Sequence, residues 1–267
     1  MALDNPAFSR NPAFSQQGAV AAAQDVSAQQ LQEMYDRPTT LPDTEVMTVE
    51  NTISKTVASF GVLLVGAAAG FALTPTMPWV FWVGAIVGFV LALVNIFKRE
   101  PSPALILAYA AAQGLFIGGI SLIYETQYSG IIAQAVIGTL AVFGVTLALF
   151  ASGKVRASKK ATKVFLIAMV GYLVFSLVNM ILMWTGVNSD PWGLRGVEIM
   201  GIPLGLVIGV LVILMAAYSL VLDFDAIQQG VRNRAPKKYG WSGAFGIMVT
   251  VIWLYLEILR FIAIARD

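Results

Sequence analysis

Seven long apolar stretches, separated by short polar segments, follow residue 50 of this chain. Each is close to the roughly 20 residues that an α-helix needs to cross about 30 Å of hydrocarbon. The apolar residues are continuous, whereas the strands of a membrane β-barrel would alternate apolar and polar residues. The pattern therefore predicts an all-α integral membrane protein with seven transmembrane helices. The predicted spans are 57–73, 79–97, 104–123, 131–151, 165–184, 199–222 and 243–264.

The composition supports a membrane protein and excludes several kinds of chemistry. Hydrophobic residues make up 58% of the chain and charged residues 12%, which leaves too little polar surface for a soluble domain. Cysteine and histidine are absent, so disulfides, thiol catalysis and imidazole chemistry are excluded. The sequence has no phosphate-binding loop, zinc-protease motif or nucleophile elbow, so we predict neither an enzyme nor a cofactor. A nucleic-acid partner is not predicted either, because the basic residues lack aromatic stacking partners.

Residues 1–50 differ from the rest of the chain. They are rich in Gln, Ala, Ser, Asp and Pro, which predicts a disordered tail before a transmembrane domain of residues 51–267. The tail begins with a tandem hexapeptide, residues 5–10 and 11–16, whose two Phe side chains are candidates for contact with lipid or a partner. The alternative is a solvated tail with an accidental duplication. No secretory signal pattern is present.

The basic residues predict the orientation, because Lys and Arg are retained on the cytoplasmic side of a membrane. With the N-terminus in the cytoplasm and the C-terminus outside, 14 of the 17 basic residues lie inside. The bias supports the count of seven helices and an outside C-terminus, and the lipid bilayer is the main expected partner. The inside set is Arg10, Arg37, Lys55, Lys98, Arg99, Lys154, Arg156, Lys159, Lys160, Lys163, Arg232, Arg234, Lys237 and Lys238, and the outside set is Arg195, Arg260 and Arg266.

Three carboxylates are the main candidate functional residues. Glu257 lies inside the last apolar stretch, and Asp223 and Asp225 close the stretch before it. Ionised groups are costly in hydrocarbon and usually mark an ion path or a switch. Two neighbouring carboxylates can share a proton near neutral pH, and their oxygens suit Ca²⁺ when deprotonated. The alternative is structural: the two aspartates lie in the interface, and Glu257 pairs with Arg260 one turn later.

Other polar and small residues in the apolar stretches have a structural and a functional interpretation. Tyr109 and Gln113 lie four residues apart in the third stretch, where they either bond neighbouring helices or line a path. Asn95 and Asn179 are candidates of the same kind. Glycines at four-residue spacing indicate close helix packing. They are Gly66 and Gly70, Gly84 and Gly88, Gly114 and Gly118, and Gly201, Gly205 and Gly209.

Three strings resemble the bacterial branch of the Bax inhibitor-1 family, namely LVLDFDAI at 220–227, WLYLEILRF at 253–261 and QGLFIGGIS at 113–121. The resemblance covers essentially the whole chain. It implies a bundle in which the last helix is surrounded by the other six, and an acid pair on helices six and seven that latches a Ca²⁺ leak. Asp223 matches the helix-six aspartate, and Glu257 matches a helix-seven acid that is commonly aspartate. Gln113 stands where relatives are expected to have an acid.

The resemblance therefore implies a pH-sensitive calcium (cation) leak in the bacterial plasma membrane. Deprotonation at neutral to alkaline pH would break a shared-proton pair between Asp223 and Glu257, and acid would restore it. If helix seven begins at Trp241, however, Glu257 lies about 24 Å along it, so contact requires a shifted helix seven or a longer helix six. One rival is a non-conducting regulator that binds a membrane protease or secretion machinery through residues 1–45. An intramembrane hydrolase using the two acids ranks last.

Overall fold

The computed structural model describes residues 45–187 and 190–267, and seven helices in this part are long and apolar enough to span a membrane. The predicted all-α membrane fold is therefore confirmed. The helices are α1 (Val49–Leu73), α2 (Trp79–Phe97), α3 (Pro103–Gln127), α4 (Ile131–Ala151), α5 (Lys159–Trp184), α6 (Leu204–Arg232) and α7 (Gly240–Arg266). Residues 1–44, which carry most of the predicted tail and its repeat, lie outside the described residues.

Two helices begin earlier than the apolar runs predict, because polar caps start them. The Thr48 hydroxyl accepts a hydrogen bond from the Asn51 amide (3.1 Å) at the start of α1. The Ser158 hydroxyl accepts one from the Ala161 amide (3.2 Å) at the start of α5. Each cap satisfies a backbone N–H that the first turn leaves unpaired. Residues 45–50 of the predicted tail are therefore part of the folded bundle.

The sixth helix departs most from the prediction. It does not end at residue 222 but continues through Asp223 to Arg232. It also starts at Leu204 rather than at 199, because a hairpin of two short strands precedes it, β1 (Glu198–Ile199) and β2 (Ile202–Pro203). The hairpin turn holds Met200 and Gly201 at φ of 57° and 79°. Gly201 therefore serves a tight turn rather than helix packing.

The last helix forms the centre of the bundle, as predicted. In an apolar 18-residue window of the span that contains α7, 61% is buried, the largest share among the seven described spans. It packs directly against α1, α3, α4 and α6, while α2 lies mainly against α3. Helix α5 is the most exposed, since only 6% of the corresponding window is buried.

Helices α1 and α3 pack through their glycines. A Cβ on Gly66 would lie 2.7 Å from the Ala111 carbonyl oxygen, and one on Gly118 would meet the Ala67 carbonyl oxygen and the Phe71 amide nitrogen. These neighbours are backbone atoms, which cannot turn aside. The predicted packing role is confirmed for these positions, and Gly84 allows α2 to approach α3 in the same way.

One end of the bundle is closed by contacts between the start of α1 and the α6–α7 loop. The Met47 amide donates to the Ala235 carbonyl (2.7 Å), and the Met47 side chain is buried. Lys238 forms an ion pair with Glu100 in the α2–α3 loop (2.8 Å). The hydrogen bond between the Lys238 and Glu100 side chains is the main reason that the pKa of Glu100 lies below its usual range. The contacts gather three segments that carry much of the basic charge at the end predicted to be cytoplasmic.

Candidate functional site

Glu257 lies at the centre of a buried ionic cluster. Only 2% of its surface is exposed. Its Oε1 accepts from Arg195 (3.2 Å), and its Oε2 accepts from Arg260 (2.8 Å) and from the Tyr172 hydroxyl (2.9 Å). We refer to Tyr172, Arg195, Glu257 and Arg260 as the Glu257 cluster. The alternative prediction that Glu257 pairs with Arg260 one turn later is confirmed.

Arg195 reaches this cluster from the loop between α5 and α6, not from a membrane-spanning helix. It ends the short 3-10 turn Gly193–Arg195 and is only 5% exposed. Its second terminal nitrogen donates to the Tyr172 hydroxyl (2.9 Å), and its guanidinium lies 5.4 Å from the Tyr172 ring centre and 5.7 Å from that of Phe175. Since arginine stays charged in proteins, two arginines and one ionised glutamate leave an excess of one positive charge.

Asn179 of α5 fixes the loop that carries Arg195. Its Oδ1 accepts from the Leu194 amide (2.6 Å), and its Nδ2 donates to the Trp192 carbonyl (3.4 Å). The Trp192 indole in turn donates to Asp267 (2.5 Å), the residue that follows α7. The loop is therefore anchored to both α5 and the end of α7. The bonding role foreseen for Asn179 is observed, although its partners are loop backbone atoms rather than another helix.

Replacing Asn179 with alanine is expected to release this loop. The change leaves the Leu194 amide without its acceptor, and an unsatisfied buried N–H costs about 1–3 kcal/mol. Opening of the loop exposes the bond after Arg195 to trypsin, and cleavage that follows the open population should accelerate about tenfold. Limited proteolysis with mass mapping of the fragments measures this rate.

Asn95→Ala is the matched control for that experiment. The Asn95 amide also bonds backbone carbonyls, those of Leu91 (2.8 Å) and Leu105 (3.3 Å), but near the end of α2. This variant should cleave after Arg195 at the parental rate. Equal rates for the parent and Asn179→Ala would show that the amide does not hold the loop closed.

Asp223 belongs to a different polar group. It is 1% exposed, and its Oδ2 accepts from the Thr250 hydroxyl (2.7 Å), which lies 3.2 Å from the Ser219 hydroxyl. Thr250 precedes Glu257 by seven residues, about 10.5 Å along α7. The extension of α6 does place Asp223 inside the bundle. The two acids nevertheless occupy levels about two turns apart, and the shared-proton pair expected from the sequence is not formed in this conformation.

The remaining candidate residues lie outside the Glu257 cluster. Asp225 accepts from Gln229 one turn later (2.9 Å). The Tyr109 ring packs edge-on against Phe245 of α7 at a centre distance of 5.1 Å. Gln113 lies against α2, where its Nε2 is 2.8 Å from the position that a Cβ on Gly88 would take.

A Ca²⁺ site needs several oxygen atoms around one point, because Ca²⁺ takes six to eight oxygen ligands at about 2.3–2.6 Å. In the described part of the chain, no three carboxylates, histidines or cysteines are grouped so that they could hold a metal ion. Asp223 and Glu257 are engaged at separate levels by other protein groups. The conformation therefore does not join them in one site.

Sequence reasoning missed Tyr172, Arg195 and Thr250. Thr250 carried a usable signal, since seven residues before Glu257 is the same face of a helix. Arg195 was a lone basic residue in a loop predicted to be outside, with nothing to indicate that it enters the bundle. Tyr172 stands in an apolar run that predicts only a membrane span.

Two comparisons with known proteins bear on this architecture. A search of curated proteins gives no match. The family model described as Bax inhibitor 1 like matches residues 5–267, which is nearly the whole chain. The resemblance seen in three short strings therefore extends over all seven helices. The protein belongs to the Bax inhibitor 1 like family, a family of membrane channel or regulator type rather than of enzymes.

Proposed function

We propose that this protein is a pH-sensitive cation leak of the bacterial plasma membrane, with Ca²⁺ as the favoured ion and the N-terminus in the cytoplasm. The observation that supports the proposal best is Glu257, a buried carboxylate on the central helix that a loop arginine engages. A buried acid with a movable counter-ion has the properties of a gate, because the bond that closes it can be exchanged for a cation. The family membership agrees with a protein that acts within the membrane.

Arg195 is the closing element in this proposal. Arginines along a pore oppose the entry of cations through their fixed positive charge. Arg195 and Arg260 are both bonded to Glu257, and in this proposal their charges form a cationic barrier at this level. If the loop moves outward with Arg195, Glu257 Oε1 is released to a hard cation such as Ca²⁺, while Oε2 stays bonded to Arg260 and Tyr172. The gate then opens by movement of a loop side chain rather than by displacement of a whole helix.

Asp223 is a second cation-binding position on the same proposed ion path. Its carboxylate and the hydroxyls of Thr250 and Ser219 group three kinds of oxygen atom two helical turns from Glu257. A cation passing along α7 would exchange ligands between these two levels. One carboxylate at each level is far from a repeated ring of charges or carbonyls, so we expect slow flux.

In this proposal acid opens the gate, which is the opposite of the pH dependence expected from a shared proton. The charged and titratable groups bonded to Glu257 are Arg195, Arg260 and Tyr172. The attraction to Arg195 requires an ionised carboxylate, so protonation of Glu257 in acid weakens the closed state. A pair of acids sharing one proton would instead be closed by acid. The sign of the pH dependence therefore distinguishes the two gates.

Ca²⁺ entry into dye-loaded proteoliposomes, measured from neutral to acidic pH, tests this proposal. We expect flux through the parent to rise as the pH falls. Glu257→Gln and Arg195→Gln should each raise the flux at neutral pH by about tenfold, the equivalent of about 1.4 kcal/mol of gating energy. Glu257→Gln should also lose most of the response to acid, and Asp223→Asn should lower the flux at every pH.

The control is Glu198→Gln, which neutralises an exposed carboxylate in the same loop and should behave as the parent. A leak that falls in acid would reject the Arg195 gate and favour the shared-proton pair. Folded protein that gives no flux above empty liposomes would reject the leak altogether. Deleting residues 1–44 would then test the regulator that binds its partner through residues 1–45.

A further inference from the structure

A long apolar cleft separates α5 from α6. Its volume is about 700 Å³, and its walls run from Lys160 to Phe175 on α5 and from Ile208 to Tyr218 on α6. Nearly all of the lining side chains are apolar. Tyr172 of the Glu257 cluster lies near one end of the cleft, and Lys160 lies at the other.

The cleft exists because α5 is held near its ends rather than along its length. At one end, the Tyr218 hydroxyl lies 2.9 Å from the Thr162 hydroxyl and accepts from the Ser158 amide (3.3 Å). Towards the other end, Asn179 and Tyr172 bond the Arg195 loop. Between these attachments stands Gly171, where a Cβ would meet no atom within 4 Å.

The Lys160 end of the cleft is strongly basic. Residues 154–163 hold five positive side chains and no acidic residue, and Lys159, Lys160 and Lys163 are all exposed. The ion pairs among the described residues use other cations, namely Arg195, Lys237, Lys238 and Arg260. The described part of the chain therefore leaves the charge at this end available to an external anion.

We propose that the cleft binds one acyl chain of an anionic phospholipid whose phosphate contacts Lys160 and its neighbouring lysines. Lys160 and Tyr172 are twelve residues apart, about 18 Å along a helix. That length matches the half-thickness of about 15 Å in a hydrocarbon core of about 30 Å, so a chain anchored at Lys160 ends near Tyr172. Basic clusters at a membrane surface attract anionic headgroups. The proposal is independent of ion flux.

Native mass spectrometry of the full chain, titrated with phosphatidylglycerol or phosphatidylcholine of identical chains, tests both parts of the site. The parent should bind one phosphatidylglycerol at about fivefold lower concentration than phosphatidylcholine. Lys160→Gln should remove most of this preference. Gly171→Phe narrows the cleft beside Tyr172 and should weaken binding of both lipids by about tenfold.

Gly144→Phe is the matched control for the cleft variant. Gly144 is also an exposed mid-helix glycine with open space around it, but it lies on α4, away from the cleft. This variant should bind both lipids as the parent does. The proposal is overturned if Gly171→Phe binds phosphatidylglycerol normally, or if Lys160→Gln keeps the full preference. Dimers that form in the parent and are lost in Gly171→Phe would also overturn it, by assigning the cleft to a second copy of the chain.

Discussion

Glu257→Ala is expected to lower the free energy of unfolding by about 3–5 kcal/mol, the range for removing one partner of a buried ion pair. The variant leaves Arg195, which is 5% exposed, and the partly exposed Arg260 without their shared carboxylate. The Tyr172 hydroxyl also loses its acceptor. Denaturant or thermal unfolding in a detergent micelle measures the change. The effect should be among the largest that a single substitution in this chain can produce.

Glu198→Ala is the control for that measurement, because it removes an exposed carboxylate of the neighbouring hairpin and should change stability by at most about 0.5 kcal/mol. Replacing Arg195, Glu257 and Arg260 together with Met, Leu and Met should recover most of the loss, since no charge of the Glu257 cluster then stays buried. If Glu257→Ala unfolds like the parent, the cluster adds no net stability and the arginines must reach water.

Gly118→Leu is expected to separate α1 from α3. A Cβ at this position would meet the Ala67 carbonyl and lie 2.6 Å from the Phe71 amide nitrogen, both backbone atoms of α1. Overpacking against a rigid neighbour typically costs about 1–3 kcal/mol, and a leucine here should reach or exceed that upper figure. Unfolding curves and the monodisperse fraction after purification measure the loss.

Gly144→Leu serves as the counterpart on α4, where a Cβ meets no atom within 4 Å. It should be neutral or gain up to about 0.8 kcal/mol from the higher helix propensity of leucine. Comparable losses at both positions would mean that leucine disturbs membrane insertion in general, and not the packing of α1 on α3.

The number and type of the helices follow from apolar length, but their ends do not. The predicted bounds of α2 agree with the structure because Pro78 precedes it and Lys98 follows it, so the apolar run and the helix end together. The polar residues after Leu222 end the apolar run of α6 while the helix continues to Arg232. Hydropathy measures the length of the membrane-facing segment, whereas backbone hydrogen bonding decides where the helix stops.

The candidate site was predictable only in part. Spacing within α7 predicted the contact of Glu257 with Arg260, because residues three apart share a helix face. The contact with Arg195 joins residues 62 positions apart in sequence and depends on a loop that turns back into the bundle. A loop of this kind has no periodicity from which its path could be read. The pairing of Asp223 with Glu257 was implied by the family resemblance, and the sequence does not specify the level of each acid in the bundle.

The pairing of Glu257 with Arg260 on one helix has a consequence for membrane insertion. Each of these residues alone would add a few kcal/mol to the transfer of α7 into the bilayer. Because they lie three residues apart and bond within the helix, the pair can enter the bilayer without net charge before any tertiary contact exists. Arg195 joins only when its loop folds. The last helix in the sequence, α7, therefore already carries a counter-ion for Glu257 when it takes its place at the centre of the bundle.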